Sequence, residues 1–457
     1  MTQLFHTVLW AVITLASPIL TAIAVMTCSS MCYAWRSPET MASTGFARVR
    51  RRITHSFSVI VPIRDEAEHV VRATVDRLMA QGAAELQIVI SVGFDDVDTV
   101  AVAHRIAADH SAFVSVSVNH DRVRNKPRQL NTALNDCRGD VVGIFDAESL
   151  AAPGLIAEVD AVFADPGVDA VQGAVQLVNY RDSWFALHNC LEYYFWFRSR
   201  LHLQARKGFI PLGGNTVFIR RHVLVDMGGY DAECLAEDCE LGVRLSSAGK
   251  RIAVRYDAAL ATSEETPGSL GGLIRQRTRW DTGFMQVARK GLWRALSTRR
   301  LRILAAYTLA QPFLQAFTGL VIPVSIIAAV TGHAPLWVAL ISFAPALPTL
   351  QMAAFQLAGL HEFGREFGFR IRLWDHVRLT VSTPVYQVVL AIAALRAVVR
   401  FRRGNFAWEK TSHTGSHLDL VPDVSPALTR TGALTEATAL STSTGLNQPF
   451  PVGGDVR

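Results

Sequence analysis

Cysteine is scarce in this chain, with six among 457 residues. So few, without paired spacing, exclude a disulfide-stapled extracellular scaffold, and none stands in a zinc-binding pattern. Cys28 and Cys32 fall in or near an apolar run, while Cys137, Cys190, Cys234 and Cys239 are scattered through a more polar middle. That usage suits a reduced, cytosolic compartment. No internal repeat is evident. The first apolar run has no basic segment before it and is too long for the core of a cleaved leader. Charge is thin as well, at 18% of residues, and the net charge of +6 is unevenly placed. The cations gather beside apolar runs: Arg48, Arg50, Arg51 and Arg52; then Arg289, Lys290, Arg294, Arg299, Arg300 and Arg302; then Arg396, Arg400, Arg402 and Arg403. Such clusters follow the positive-inside rule and meet anionic lipid, so they argue against a nucleic-acid partner.

The chain has instead an apolar surplus. Half of its residues are hydrophobic, mean hydropathy is +0.23, and the excess is concentrated at the two ends. Residues 7–34 form an apolar run long enough for a membrane helix, so residues 1–35 are expected to be an N-terminal span. The basic patch at 48–52 places the following segment on the cytosolic side. Residues 268–293 mix Arg, Trp, Phe and Leu at helical spacing, as in an interfacial amphipathic helix. Three further apolar runs, 303–330, 335–359 and 376–398, make a C-terminal membrane region at 303–403. Three complete spans there would strand the closing Arg cluster on the wrong side. One run is therefore expected to be re-entrant or interfacial, and 303–330, with Pro312 and Pro323, is the candidate for a broken helix. The Ser-, Thr-, Gly- and Pro-rich segment 411–457 reads as a disordered tail. The expectation is a multi-pass cell-membrane protein with its large domain in the cytosol.

That domain, 55–267, alternates strand and helix. Strands are expected at 57–62, 86–92, 113–118 and 140–145, with helices at 66–79, 98–109 and 127–137 between them. This rhythm predicts a layered α/β fold with a mainly parallel sheet.

Four constellations carry chemistry. Asp146 and Glu148 leave an apolar strand two residues apart and can converge on a hard divalent cation, Mg or Mn; otherwise they are a solvated acidic turn. Glu237 and Asp238 open a helix, where carboxylates are often caps, but where one could also deprotonate a sugar hydroxyl. Gln276, Arg279 and Trp280 share one helix face. An amide, a guanidinium and an indole suit a diphosphate and a sugar ring, and equally an interfacial anchor. Gly213-Gly214-Asn215 is a turn or a place where backbone closes on a ligand.

Taken in order, these features resemble the membrane-bound family 2 inverting glycosyltransferases of the GT-A fold, the group that includes cellulose, hyaluronan and poly-N-acetylglucosamine synthases. The resemblance covers roughly residues 55–412. Val59 to Glu66, including Asp65, looks like the family's opening strand and loop, and Lys126 to Leu134 like its lysine-bearing helix. Asp146-Ala147-Glu148 stands at the Asp-x-Asp metal motif, Glu237-Asp238 at the catalytic-base motif, and Gln276, Arg279 and Trp280 at Gln-x-x-Arg-Trp. Trp408-Glu409-Lys410-Thr411 resembles a motif that follows the last helix in many members. The resemblance implies a Rossmann-like GT-A nucleotide-sugar domain with transmembrane helices. It implies a UDP-sugar donor held by Asp65, Asp96, Lys126, Asp146, Gly214 and Asn215, and a divalent cation on Asp146 and Glu148. Asp238 is implied as base beside Glu237, with Gln276, Arg279 and Trp280 at the diphosphate and the polysaccharide or lipid acceptor. One departure concerns the second strand, where the family has Asp-Asp-Gly-Ser and this chain has Ser91-Val92-Gly93-Phe94-Asp95-Asp96, so the acidic pair falls past the glycine. Rival expectations are a single transfer to a polyprenyl phosphate or diacylglycerol, and a non-catalytic membrane scaffold or transporter that keeps a degenerate domain.

Overall fold

The computed structural model describes residues 2–36, 53–83, 85–123, 125–331, 335–409 and 415–421. The chain opens with α1 (Thr2–Met31) and a short α2 (Tyr33–Arg36). The central domain then runs β1 (Phe57–Pro62), α3 (Glu68–Met79), β2 (Leu86–Gly93), α4 (Val97–Asp109), β3 (Val114–Asn119), α5 (Lys126–Leu134), β4 (Val141–Ile144) and α6 (Leu155–Phe163). After these come β5 (Ala170–Gln172), β6 (Val175–Leu177), α7 (Trp184–Phe195), a π-helical turn (Trp196–Arg200), α8 (Leu201–Lys207), β7 (Val217–Arg220), α9 (Arg221–Asp226), α10 (Glu237–Ser247), β8 (Ile252–Val254) and β9 (Thr262–Glu264). The helical C-terminal part comprises α11 (Leu270–Lys290), α12 (Arg299–Leu309), α13 (Gln311–Thr331), α14 (Leu336–Phe343), α15 (Ala346–Glu366) and α16 (Leu373–Arg402).

The expected α/β domain is present. β1, β2 and β4 are mostly apolar, as strands covered on both faces must be, and nearly every residue in them is buried, whereas the edge strand β3 alternates Val with Ser and Asn. Seven strands lie in the order β3-β2-β1-β4-β7-β5-β8, with β7 antiparallel to both neighbours. β1 pairs in parallel with β2 on one side and β4 on the other. The chain therefore reverses its winding direction there and opens a crevice at the carboxyl ends of β1 and β4, where open α/β sheets bind ligands. A second, two-stranded sheet pairs β6 with β9 and bridges Leu150 to Ser263, beside that crevice.

Three described helical segments are long and apolar enough to cross a membrane: Trp10–Met31, Leu336–Glu366 and Leu373–Arg402. Their outward faces leave Leu15, Leu336, Phe343, Leu347 and Val381 exposed, apolar surface that a bilayer would cover. The run at 303–330 is broken at Ala310, between α12 and α13; Pro312 falls at the start of α13, where its missing N–H costs nothing, and Pro323 lies inside it. The amphipathic segment is α11, which packs between the α/β domain and α16. Residues 415–421 lie against the domain with His417 fully buried, inside the segment that composition marks as a tail; residues 422–457 fall outside the described ones.

Candidate active site

The crevice is built from loop ends that each element delivers for a local reason. β4 runs out at Ile144, and Asp146 and Glu148 follow in a turn closed by the Ser149 N–H donating to the Asp146 carbonyl at 3.1 Å. Thr74 Oγ1 holds the Ala147 carbonyl at 2.7 Å. Asn125 caps α5 by accepting from the Arg128 N–H, which starts the helix so that Lys126 projects over the sheet. Its Nζ donates to Asp146 Oδ1 and, at 3.0 Å, to the Gly214 carbonyl. Burial works against this ammonium, yet the carboxylates of Asp146, Glu237 and Asp238 outweigh it and hold the lysine charged, above its ordinary range.

Glu237 and Asp238 form the first turn of α10, and the Cys239 N–H donates to Asp238 Oδ1 at 2.7 Å. Burial and the neighbouring Asp238 push Glu237 up to about 7, and burial raises Asp238 as well. Two coupled carboxylates poised in this way are a natural proton acceptor and its partner. Gly214 faces them closely: a Cβ there would lie 2.9 Å from Asp238 Oδ2 and 3.5 Å from Lys126 Nζ. The glycine is what lets lysine, carboxylate and loop share the space.

α11 closes the other wall. Gly283 allows it to touch the chain just before the carboxylate pair, since a Cβ at Gly283 would stand 2.4 Å from the Ala236 Cβ. Gln286 Oε1 accepts from the Leu235 N–H at 2.9 Å, and its Nε2 donates to the Glu233 carbonyl at 3.0 Å. Gln276, Arg279 and Trp280 all line the cavity that contains Asp146, Glu148, Gly214, Asn215 and Asp238. Gln276 is buried, and its Oε1 has no hydrogen-bond partner among the described residues. Arg277, absent from the sequence-derived set, is anchored to Glu192 and lies 4.9 Å over the Trp280 ring, which fixes the indole.

The sequence-derived residues divide. Asp238, Glu237, Lys126, Asp146, Glu148, Gly214, Asn215, Gln276, Arg279 and Trp280 share one cavity of about 1580 Å³. Asp65 and Asp96 are not among its lining residues and bind each other: the Asp65 N–H donates to Asp96 Oδ2 at 2.7 Å while Asp96 Oδ1 caps α4. Asp95 pairs with Arg64, which does line the cavity, at 2.7 Å. A further residue emerges from the fold alone. Glu264, at the end of β9, accepts from Ser149 Oγ at 2.7 Å and from the Asn215 amide, tying the acidic loop to the glycine loop. Burial, then the charges of Glu148 and Asp146, raise Glu264 well above the ordinary carboxylate range. No local pattern signals it; only the pairing of β6 with β9 brings it there.

Asp146 and Glu148 give two hard oxygen donors, and no third His, Cys, Asp or Glu completes a protein-only cage among the described residues. That set fits a small divalent ion that takes its remaining ligands from phosphates and water. The cavity continues from the sheet into the helical part, past Leu20 and Thr27 of α1, Leu314 and Gln315 of α13, Leu350 of α15 and Gln387 of α16.

Residues 55–283, half of the chain, match the family model described as glycosyltransferase like family 2. The chain belongs to this family. Among curated relatives, the beta-monoglucosyldiacylglycerol synthase of Trichormus variabilis is 25% identical over 302 residues, which span 64% of this chain and 62% of that enzyme. An N-acetylglucosaminyltransferase of Mesorhizobium japonicum is 25% identical over 347 residues, 72% of this chain and 78% of the relative. The poly-beta-1,6-N-acetyl-D-glucosamine synthase of Staphylococcus aureus is 25% identical over 217 residues, 47% of this chain and 50% of the relative. In three dimensions the chain is similar to a mannosyltransferase from Pyrobaculum calidifontis, solved with GDP-Man and Mn2+, at a TM-score of 0.54 and 20% identity over 83% of this chain and 99% of that one. The last likeness establishes the fold: a GT-A sheet joined to helices.

Proposed function

We propose that this family member transfers a hexosyl or N-acetylhexosaminyl unit from a nucleotide sugar, a UDP-sugar foremost, to a hydroxyl of a polysaccharide or lipid acceptor at a membrane, with inversion. One observation carries the reading: Asp238 faces Lys126 and Asp146 across Gly214 in a cavity that also holds Gln276, Arg279 and Trp280 and continues between apolar helices. Residues 55–267 are the cytosolic nucleotide-sugar domain in this reading, 268–293 the interfacial helix, and 1–35 and 303–403 the membrane parts, with the Arg-rich ends of the spans on the cytosolic side of the cell membrane.

Asp238 accepts the proton of the attacking acceptor hydroxyl, and Glu237 shares the proton balance of the pair. Lys126 and Arg279 hold the departing diphosphate by charge, and Trp280 gives the acceptor ring a flat apolar face. Asp146 and Glu148 would hold a divalent cation, which when bound offsets charge on the diphosphate. A single in-line displacement at the anomeric carbon accounts for inversion. The names of the relatives, one acting on diacylglycerol and another making a polymer, support both acceptor classes.

The test is a screen of radiolabelled UDP-sugars and GDP-mannose against membranes that contain the chain, followed by product sizing. Transfer that depends on Asp238 supports the reading. A ladder identifies a polymer and a single organic-soluble band a glycolipid. Nucleotide sugar that binds but is never transferred would favour a scaffold instead.

A further inference from the structure

The segment that follows the last apolar helix returns to the catalytic loop. The Gly415 N–H donates to Glu265 Oε1 at 2.9 Å, and Ser416 Oγ reaches Glu265 Oε2 at 2.9 Å and Asp182 Oδ2 at 2.8 Å. These bonds seat His417, whose side chain has no exposed surface, with Nδ1 3.4 Å from Glu265 Oε2. Its other nitrogen, Nε2, lies 2.7 Å from the backbone carbonyl oxygen of Glu148. A carbonyl only accepts, so Nε2 carries the hydrogen and donates it.

That carbonyl belongs to the acidic turn after β4. The turn is pinned at each successive residue: Thr74 Oγ1 holds the Ala147 carbonyl, Ser149 Oγ binds Glu264, and Leu150 exchanges two backbone bonds with Ser263 at 3.0 Å. Every one of these holders comes from the α/β domain except His417, which is 269 residues away in sequence, beyond the last span. A side chain present only to fill space would not need a donor aimed at a single carbonyl. We propose that His417, seated by Glu265, is a positioning residue for the donor site, orienting the Glu148 peptide and through it the pair of carboxylates that meets the cation and the nucleoside diphosphate. The residue touches neither substrate nor cation. The inference rests on the transferase reading above and adds to it that the chain after the last span completes the cytosolic site.

The experiment uses full-length protein in detergent as wild type, His417→Ala and His417→Gln. Glutamine can again place an N–H near Nε2; alanine cannot. Two readouts are taken: Mn2+ affinity by electron paramagnetic resonance with UDP, and with GDP in parallel, and backbone hydrogen exchange of peptides covering 146–150. His417→Ala is expected to weaken Mn2+ binding about tenfold, the usual loss when a partner that orients a ligand is removed. It should also speed exchange across the turn, while His417→Gln stays within about threefold of wild type. Wild-type exchange and affinity in His417→Ala would overturn the proposal, as would equal losses in both variants, which would mean that the ring acts by bulk. Wild-type protein that takes up no Mn2+ with either nucleotide would instead overturn the underlying donor reading, while the exchange result still reports on the His417 bond.

Discussion

Gln286 of α11 accepts a hydrogen bond from the Leu235 N–H at 2.9 Å, two residues before the carboxylate pair. The helix that carries Gln276, Arg279 and Trp280 thus also sets the backbone that presents Asp238. Replacing Gln286 with alanine leaves that N–H without its partner, a loss of about 1–3 kcal/mol. Expressed at the base, this lowers kcat about tenfold. Because the bonds of Gln286 go to the Leu235 and Glu233 backbone, the KM for donor should hold; steady-state kinetics with a labelled UDP-sugar check both values.

Asp238→Asn removes the proposed proton acceptor but keeps the shape. The expected loss of transfer is about a hundredfold to ten-thousandfold, the range of a general base. Glu237→Gln should cost less, because Glu237 acts through its neighbour. UDP binding, measured by calorimetry, should be near wild type in both variants. Unchanged transfer by Asp238→Asn would remove it from the base role.

What could be read in the sequence was local. Phe57–Pro62 and Leu86–Gly93 announce themselves as mostly apolar runs, and Asp146-Ala147-Glu148 and Glu237-Asp238 keep both members of an acidic pair within three residues. Glu264 and His417 were invisible for the opposite reason. The first meets Ser149 across 115 residues and the second meets Glu148 across 269, through a strand pairing and a returning segment that no periodicity encodes. Asp96, which the family resemblance implies at the donor, also caps α4 and holds the Asp65 loop, a structural part that the motif alone does not show.

The raised pKa of Glu237 makes a stability prediction. An ordinary glutamate ionises near 4.5, whereas burial and Asp238 move this one up to about 7. A group raised on folding contributes stability fully below its unfolded value and loses it as pH rises through the folded value. Wild-type melting temperature should therefore fall relative to Glu237→Gln between pH 4.5 and about 7, and the difference should level off above that. Activity should move the other way, rising across the same interval as the pair gives up its proton. Thermal melts and initial rates over this range test the two slopes together; parallel slopes would mean that the pair does not govern the rate.

Gly214→Ala separates folding from catalysis. The atom nearest the new methyl is Asp238 Oδ2 at 2.9 Å, with Lys126 Nζ next at 3.5 Å. Both are ends of side chains, so the contact is relieved by rotating them and not by moving backbone. The fold should survive, with little change in melting temperature. The proposed base, however, must turn away from the place where an acceptor hydroxyl would meet it, and a displacement of about 1 Å can cost a hundredfold in rate. The expected result is a well-folded protein whose transfer rate falls about as far as that of Asp238→Asn. Pairing Gly214→Ala with Asp238→Asn should then add almost nothing, because both changes disable the same group. Additive losses in the double variant would show instead that Gly214 serves the donor directly, through the space its missing side chain leaves beside Lys126.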